Sequence, residues 1–251
     1  MKQFLLLLGI LSLLSLGSAD TIAFNCNSNQ VGGAKCKNWG TTFTWDRPSN
    51  RTSEQRTRGA GCGRPNRCSR PPYGSGYQCD EYPFKSVRES DRGNQVNRCV
   101  AARQNNAQGQ ALRNFYYSRG EFRNRGCHNQ PPCRLSVAFS NASRLGYCQS
   151  RPNCRNDGNE YTRSGPARRD EVQESEFFRL ASGTVLFAPG GARIGDVVYH
   201  VSFRNETLLE ERDVVDGEND DDDDAVVENM QVDEDPIVAV VEGWMDENEG
   251  F

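Results

Sequence analysis

Apolar and polar residues alternate in several short stretches of this chain, as they do in strands with one buried face. TIAFNC and TTFTWD show this pattern and predict short strands within a segment from Asp20 to about Gly61. VNRCVAA at residues 96–102 and RLSVAFS at residues 134–140 predict two more strands. GTVLFAP and DVVYHVSF flank the turn-forming Pro189-Gly-Gly and predict a closing hairpin.

Helical periodicity is clearest in QGQALRNFYY, which places Ala111, Leu112, Phe115 and Tyr116 on one face. SEFFRLA, at residues 175–181, predicts a second, shorter helix. The expected fold class is therefore α+β. It combines a small twisted sheet with one or two helices, is stapled by disulfides, and precedes a disordered acidic C-terminal tail.

Residues 1–19 have the order of features found in a secretory signal peptide. Lys2 precedes the apolar run FLLLLGILSLLSL and the small residues GSA, which predicts cleavage after Ala19. A membrane anchor is the alternative, but a spanning helix needs about 20 apolar residues. We expect a secreted protein with no membrane segment after cleavage. Three N-glycosylation sequons agree with that route, and they begin at Asn50, Asn141 and Asn205.

Ten cysteines suit an oxidising compartment, because disulfides persist outside the cytosol. Zinc is the alternative, but no C-x-x-C pair occurs, and the two histidines, His128 and His200, lack ligand spacing and are expected to be structural. Disulfides between neighbours are expected. The expected pairs are Cys62–Cys68, Cys79–Cys99, Cys127–Cys133 and Cys148–Cys154.

Charge divides the chain into a basic body and an acidic tail. Residues 20–204 hold 28 Lys and Arg against 15 Asp and Glu, whereas residues 205–251 hold 19 acids and one arginine. An arginine-rich secreted body indicates a polyanionic partner, because the guanidinium fork matches phosphate oxygens. The tail is predicted to be disordered. It is expected either to fold back over the basic domain as a polyanion mimic or to act as a solubilising segment.

The segment that begins with CDEYPF contains the types of side chain that phosphodiester hydrolysis requires. A divalent cation held by carboxylate and amide oxygens neutralises phosphate charge and activates water. The candidate groups comprise carboxylates, amides and arginines. They are Asp80, Glu81, Glu89 and Asp91; Asn105, Asn106 and Gln108; and Arg88, Arg92, Arg98, Arg103 and Arg113.

In order and spacing, CDEYPFKS, Glu89 and RCVAARQNNAQGQALRNFY resemble the NucA/NucB deoxyribonuclease family. The clear resemblance covers about residues 76–117, and RLSVAF extends the family-like segment to about residue 140. Two positions depart from the family pattern. Gln104 stands where the family has an acid before its Asn, and Ser90-Asp91 stands where the family has Gly-Gly.

The resemblance implies a secreted endonuclease that hydrolyses DNA without sequence specificity and that uses Mg²⁺ or Mn²⁺. Its implied metal residues are Asp80 and Glu89, and Glu81 and Asn105 complete the catalytic set. The alternative for Glu81 is that it points away and bonds the backbone or pairs with an arginine. The expected substrate-binding residues are drawn from the same segment: Arg88, Arg98, Arg103, Arg113 and Gln108. RNA is a second expected substrate.

Two other functions remain open from the sequence. A nuclease-like protein that has lost catalysis through Gln104 would bind extracellular nucleic acid or another polyanion. A lectin-like or matrix protein would bind acidic polymers with no preference for nucleic acid. The predicted layout is a signal peptide at residues 1–19, a disulfide-rich basic domain at residues 20–204 and an acidic tail at residues 205–251.

Overall fold

A computed structural model describes residues 19–25, 42–93, 95–140, 158–167, 177–188, 192–203 and 230–241. The described elements are two α-helices and eleven strands. In chain order they are β1 (Asp20–Asn25), β2 (Thr42–Trp45), α1 (Asn50–Ala60), β3 (Tyr77–Tyr82), β4 (Val96–Ala101), α2 (Ala102–Tyr117), β5 (Cys133–Ser140), β6 (Tyr161–Thr162), β7 (Gly165–Pro166), β8 (Phe177–Leu180), β9 (Val185–Phe187), β10 (Val197–Phe203) and β11 (Met230–Val241).

Six strands close into a barrel in the order β1-β10-β11-β8-β9-β5, because β5 pairs back onto β1. β1 runs parallel to both β5 and β10, and the other pairs in the ring are antiparallel. β2 joins the outside of the ring by pairing with the first half of β5. Closure leaves the ring without the unpaired edges that promote aggregation of open sheets.

The strands β1 and β5 are buried on both faces, and their sequences are accordingly apolar at consecutive positions. Ala23 and Ala138 point into the barrel, where they pack with Phe178, Leu186 and Ile237. The alternate residues of the same strands belong to a second, larger cluster. That cluster contains Ile22, Phe24, Val137 and Phe139 together with Phe115 of α2. One wall of the barrel therefore also supports the helix.

A separate four-stranded sheet has the order β3-β4-β6-β7. α2 follows β4 directly, and its first amide, that of Ala102, donates to the carbonyl of Gly76 just before β3. Ala111, Leu112, Phe115 and Tyr116 are all buried, so the apolar face predicted for this helix is the one that packs. The predicted strands at residues 96–102 and 134–140 are also present, as β4 and β5.

The expected fold class is wrong, because the described chain is mostly β and is built around a closed barrel. Residues 175–181 were expected to be helical, but Phe177–Leu180 form β8. β9 and β10 do not form a hairpin with each other, since β9 pairs with β8 and β5 while β10 pairs with β1 and β11. Short apolar runs fit a helix and a strand equally well, which explains the first error.

Besides β3, β6 and β7, two longer elements were not expected. α1 is a polar helix whose start and end are set by capping residues. The Ser49 hydroxyl accepts a hydrogen bond from the Thr52 amide at the start, and Gly61 ends the helix with a φ of 85°. Met230–Val241, within the segment assigned to a disordered tail, form β11, which lies between β10 and β8. The acids of this strand conceal its buried apolar positions, Met230, Val232 and Ile237, of which Val232 and Ile237 belong to different core clusters.

Several expectations concern residues outside the described ranges. They include the signal peptide up to residue 18, the pair Cys148–Cys154, the sequons at Asn141 and Asn205, and the acidic run at residues 220–224. Asn50, which begins the remaining sequon, is exposed at the start of α1. Among the described residues, no helix is both long and apolar enough to cross a membrane.

Candidate active site

The β3–β4 hairpin positions the acids of CDEYPF. In its antiparallel register, Asp80 lies opposite Arg98 and Cys79 lies opposite Cys99. Side chains alternate between the two faces of a strand, so Asp80 shares a face with Gln78 and Tyr82, while Glu81 points to the other face with Cys79. Asp80 and Glu81 are therefore unable to act as a side-by-side pair, although they are adjacent in sequence.

Two disulfides brace this hairpin from the face that carries Glu81. Cys79 bonds to Cys62 and Cys99 bonds to Cys68, so the expected pairs Cys79–Cys99 and Cys62–Cys68 are wrong. Directly opposite strand positions leave Cys79 and Cys99 side by side, and each reaches instead to the loop that follows α1. The expected Cys127–Cys133 bond is confirmed, and it closes a small loop just before β5.

Three buried charges form a row across the second sheet. Arg98 on β4 lies opposite Asp80 and donates to Glu160 Oε1 from Nη1 over 3.3 Å. Asp80, Arg98 and Glu160 are 8%, 9% and 7% exposed, respectively. Burial, with a smaller contribution from the Glu81 charge, raises the pKa of Asp80 to about 8 against the opposing effect of the Arg98 guanidinium. Ionised Asp80 is therefore costly without additional positive charge.

Amide side chains surround the same face of β3. Asn105, on the first turns of α2, donates its amide nitrogen to the Gln78 side-chain oxygen over 2.8 Å. That bond fixes the orientation of Asn105 and leaves its own oxygen as a donor atom for a ligand. Gln108, one turn further along α2, is 5% exposed. The bond to Gln78 thus places Asn105 at the face of β3 that carries Asp80.

Glu81 is held by the turn that follows β3. Burial raises the pKa of Glu81, and the Lys85 charge opposes that rise. The Glu81 carboxylate also accepts a hydrogen bond from the Lys85 backbone amide, which favours the ionised form. Glu81 is therefore engaged with its own turn rather than with the face that carries Asp80.

Glu89 lies on a 3-10 helix at Arg88–Arg92. Its Oε2 accepts from the Thr44 amide of β2 over 2.9 Å. Burial raises the pKa of Tyr116, and the negative charge of Glu89 contributes to that rise. Glu89 is therefore placed toward the C-terminal end of α2, whereas Asn105 is near its N-terminal end.

Asp91 has a structural role. Its two carboxylate oxygens accept hydrogen bonds from Nε and Nη2 of Arg56 at 2.8 and 2.9 Å. Asp46 pairs with the other edge of the same guanidinium. Arg56 is 4% exposed, so both acids are needed to keep its charge compensated. This pairing accounts for Asp91, and it holds the 3-10 helix against α1.

The predicted substrate-binding arginines are spread over different environments. Arg98 is buried and engaged by Glu160, so it is not a surface contact for phosphate. Arg88 is exposed on the 3-10 helix, and Arg103 and Arg113 are partly buried on α2. Within the described ranges, no group of three or more His, Cys, Asp or Glu side chains is arranged to hold a metal ion.

Comparison with protein-family models matches residues 30–125 to Deoxyribonuclease NucA/NucB. The NucA/NucB resemblance is confirmed. The matched segment contains β2, α1, the β3–β4 hairpin and α2, and it indicates a nuclease that acts on DNA. No significant match is found among curated proteins or among solved structures.

Glu160 was not among the predicted site residues, and it lies outside the NucA/NucB match, just before β6. Its contact with Arg98 depends on β6 adding to β4 through the pairing of Asn97 with Tyr161. The available signal was weak: in EYTRSGP only Arg163 and Ser164 separate two very short strands. A two-residue strand cannot be recognised from alternation, so the partner of Arg98 was not predictable.

Proposed function

We propose that this protein is a secreted endonuclease that hydrolyses DNA phosphodiester bonds without sequence specificity and depends on Mg²⁺ or Mn²⁺. The observation that carries the proposal is the buried Asp80 carboxylate within a NucA/NucB segment, on the same face of β3 as the amide pair of Gln78 and Asn105. RNA is a second proposed substrate, since contacts to backbone phosphates are available in both DNA and RNA.

The donor chemistry at Asp80 fits a hard cation. Mg²⁺ commonly takes one or two carboxylates and completes its shell with water and substrate phosphate, so a group of three acids is not required. Asp80 would hold the cation, and the side-chain oxygen of Asn105, whose nitrogen is engaged by Gln78, would be a further donor. When bound, the cation supplies Lewis-acid stabilisation of the phosphate charge.

The remaining residues have supporting roles in this proposal. Glu160 holds the Arg98 guanidinium beside Asp80, which limits the accumulation of negative charge on this face. Gln78 fixes the Asn105 amide. Glu89 is proposed to act on the substrate from the β2 side, where its second carboxylate oxygen, Oε1, offers an acceptor for a proton or a water molecule.

A plasmid-nicking assay tests this function. Purified protein should convert supercoiled plasmid to open circles with Mg²⁺ or Mn²⁺, and a chelator should stop the reaction. Asp80→Asn should reduce the rate by about 10²- to 10⁴-fold, the range for loss of a group that acts on the reacting atoms. Asp233→Asn, the same change at an exposed acid on β11, is the matched control and should retain activity.

A second function is favoured by one observation. Gln104, a neutral residue on α2, replaces the acid of the family pattern, which points to a protein that binds nucleic acid without cutting it. Salt-sensitive DNA binding with no nicking by the wild-type protein would support this alternative. Nicking that persists undiminished in Asp80→Asn would instead show that the proposed site is wrong.

A further inference from the structure

Two exposed arginines flank an aromatic ring at the C-terminal end of α2. The guanidinium carbon of Arg119 lies 5.1 Å from the centre of the Tyr117 ring, and that of Arg47 lies 6.0 Å from it. Arg47 is also 5.4 Å from the Trp45 ring, which stacks on Tyr116 at 4.9 Å. We call Arg47, Tyr117 and Arg119 the arginine clamp.

The clamp is fixed by the chain around it. Arg47 donates from Nη2 to both the carbonyl and the side-chain oxygen of Asn129. Asn129 is itself anchored, because its amide donates to the Tyr116 carbonyl at the end of α2 over 2.9 Å. It also lies inside the loop closed by Cys127–Cys133. A guanidinium held in this way loses little freedom when it binds a ligand.

Backbone strain concentrates at the same place. The described residues include five non-glycine positions with positive φ, and four of them border the clamp: Arg47, Ser118, His128 and Asn129. The Ser118 hydroxyl ties these segments together, since it donates to the Arg125 carbonyl and accepts from the His128 amide. Conformations of this kind cost free energy and cluster at functional sites.

The positive charge of the clamp is not neutralised by the described part of the chain. Arg56, Arg58, Arg98 and Arg125 each have a carboxylate partner within 4.0 Å, but neither Arg47 nor Arg119 forms such an ion pair among the described residues. Asp46, the acid next to Arg47, is committed to Arg56. The clamp therefore presents two uncompensated guanidiniums against the Tyr117 ring.

The clamp is close to Glu89, one of the acids implied in catalysis. Glu89 accepts from the Thr44 amide, and Thr44 is three residues before Arg47, which limits the Cα separation of Thr44 and Arg47 to about 11 Å. Val87 also bridges to Trp45, two residues before Arg47. A polymer bound at the clamp would thus extend toward Glu89.

We propose that the arginine clamp is a nucleic-acid backbone site, in which Arg47 and Arg119 bind phosphates of a strand that continues toward Glu89. Guanidinium forks match phosphate oxygens, and the partly exposed Tyr117 ring between them offers contact to an unpaired base. The clamp thus binds single-stranded or locally opened nucleic acid more tightly than intact duplex. This inference rests on the proposed function, because it assigns the surface through which the same site meets its substrate.

Fluorescence anisotropy with a labelled single-stranded oligonucleotide tests the clamp, with the wild-type chain kept in chelator so that the strand is not cut. Arg47→Gln/Arg119→Gln should raise the Kd roughly tenfold and reduce the slope of log Kd against log salt by about 1.4, or about 0.7 for each phosphate that is no longer neutralised. Arg119→Gln alone changes an exposed residue, so it tests half the effect without a folding risk.

Arg179→Gln is the matched control, because Arg179 is an exposed arginine on β8 of the barrel. It should leave both Kd and slope unchanged. Equal slopes in wild type and in the clamp variants would overturn the clamp while leaving the proposed function intact. Tighter binding of intact duplex than of the single strand would overturn the assigned substrate form.

Heparin serves as the competing polyanion. If heparin binds through Arg47 and Arg119 while the wild-type protein neither binds nor nicks DNA, the nucleic-acid assignment and the proposed function both fail. If DNA is nicked and the clamp variants bind the single strand weakly, both are supported.

Discussion

The barrel is stabilised differently from the sheet formed by β3, β4, β6 and β7. The barrel closes on itself and fills its interior with apolar side chains such as Phe178, Leu186 and Ile237. The smaller sheet has strands of two to six residues, two disulfides and a buried row of charges. Apolar closure makes the barrel a support, and covalent bracing allows the sheet to keep groups that would otherwise be too costly to bury.

Truncation of β11 should break the barrel and produce the largest effect. A chain that ends at Phe203 lacks the strand between β10 and β8, so two long edges and the interior residue Phe178 would meet water. We expect loss of the cooperative thermal transition and strong binding of a hydrophobic dye. A chain that ends at Val241 retains β11 and should melt like the wild type. A normal melt for the shorter chain would show that β11 is dispensable.

Removal of the Cys68–Cys99 bond should have the next largest effect, and it acts on the sheet. The bond joins residues 31 apart, for which chain entropy gives a loss of about 4 kcal/mol in the free energy of unfolding. Cys127–Cys133 spans 6 residues, and its removal should cost about 2 kcal/mol. Denaturant unfolding of the two double-serine variants gives both values. A larger loss from the smaller loop would contradict this ranking.

Protonation of His200 should weaken the barrel to a smaller extent. His200 Nε2 lies 2.6 Å from the Ser140 hydroxyl; burial lowers the pKa of His200, although Asp235 and Asp233 oppose that shift. The folded state then binds fewer protons than the unfolded state, whose His pKa is about 6.5. This stabilisation is complete above pH 6.5 and is lost as the pH falls from there through the lower pKa of the folded state.

Thermal melts of wild type and His200→Gln between about pH 5 and 7 measure this contribution, since the pH range follows from the ordinary His pKa. The wild type should lose stability on acidification more steeply than the variant. The same slope in both proteins would mean that His200 does not titrate differently on folding.

The ion pair of Arg125 with Glu234 should give the smallest effect. It joins the loop after α2 to β11 at 2.8 Å, and its side chains are 33% and 47% exposed. Exposed pairs contribute about 0.2–1 kcal/mol and weaken in salt. A double-mutant cycle with Arg125→Gln and Glu234→Gln should find a coupling free energy in that range. A coupling free energy well above it would show that this ion pair is a main link between the two regions.

Local patterns predicted the parts of the fold that depend on near neighbours in sequence. β1, β2, β4, β5 and α2 follow alternation or helical periodicity. The barrel was not predictable, because its closure depends on which strands pair across the chain. β11 was concealed further by its acids, whose composition resembles that of an unfolded tail.

The sequence supplied candidate residues for the site, but their tertiary contacts were not predictable. Arg98 was expected to contact phosphate, and its burial against Glu160 became apparent only with the pairing of β6 and β4. The same reasoning applies to Asp91, which has a charge suited to a metal site but is bound to Arg56. Residue type and spacing indicate what a side chain is able to bind, whereas its tertiary neighbours determine whether it is still available.

The position of β11 also implies an order of events during folding. The β3–β4 hairpin and α2 are contiguous in sequence, so this part can form soon after it is synthesised. β1 must wait for β5 and β10, and the ring stays open until β11 arrives from the far end of the chain. Pairings between distant segments form slowly. We therefore expect the candidate catalytic hairpin to be in place on a nascent chain whose barrel is still an open sheet.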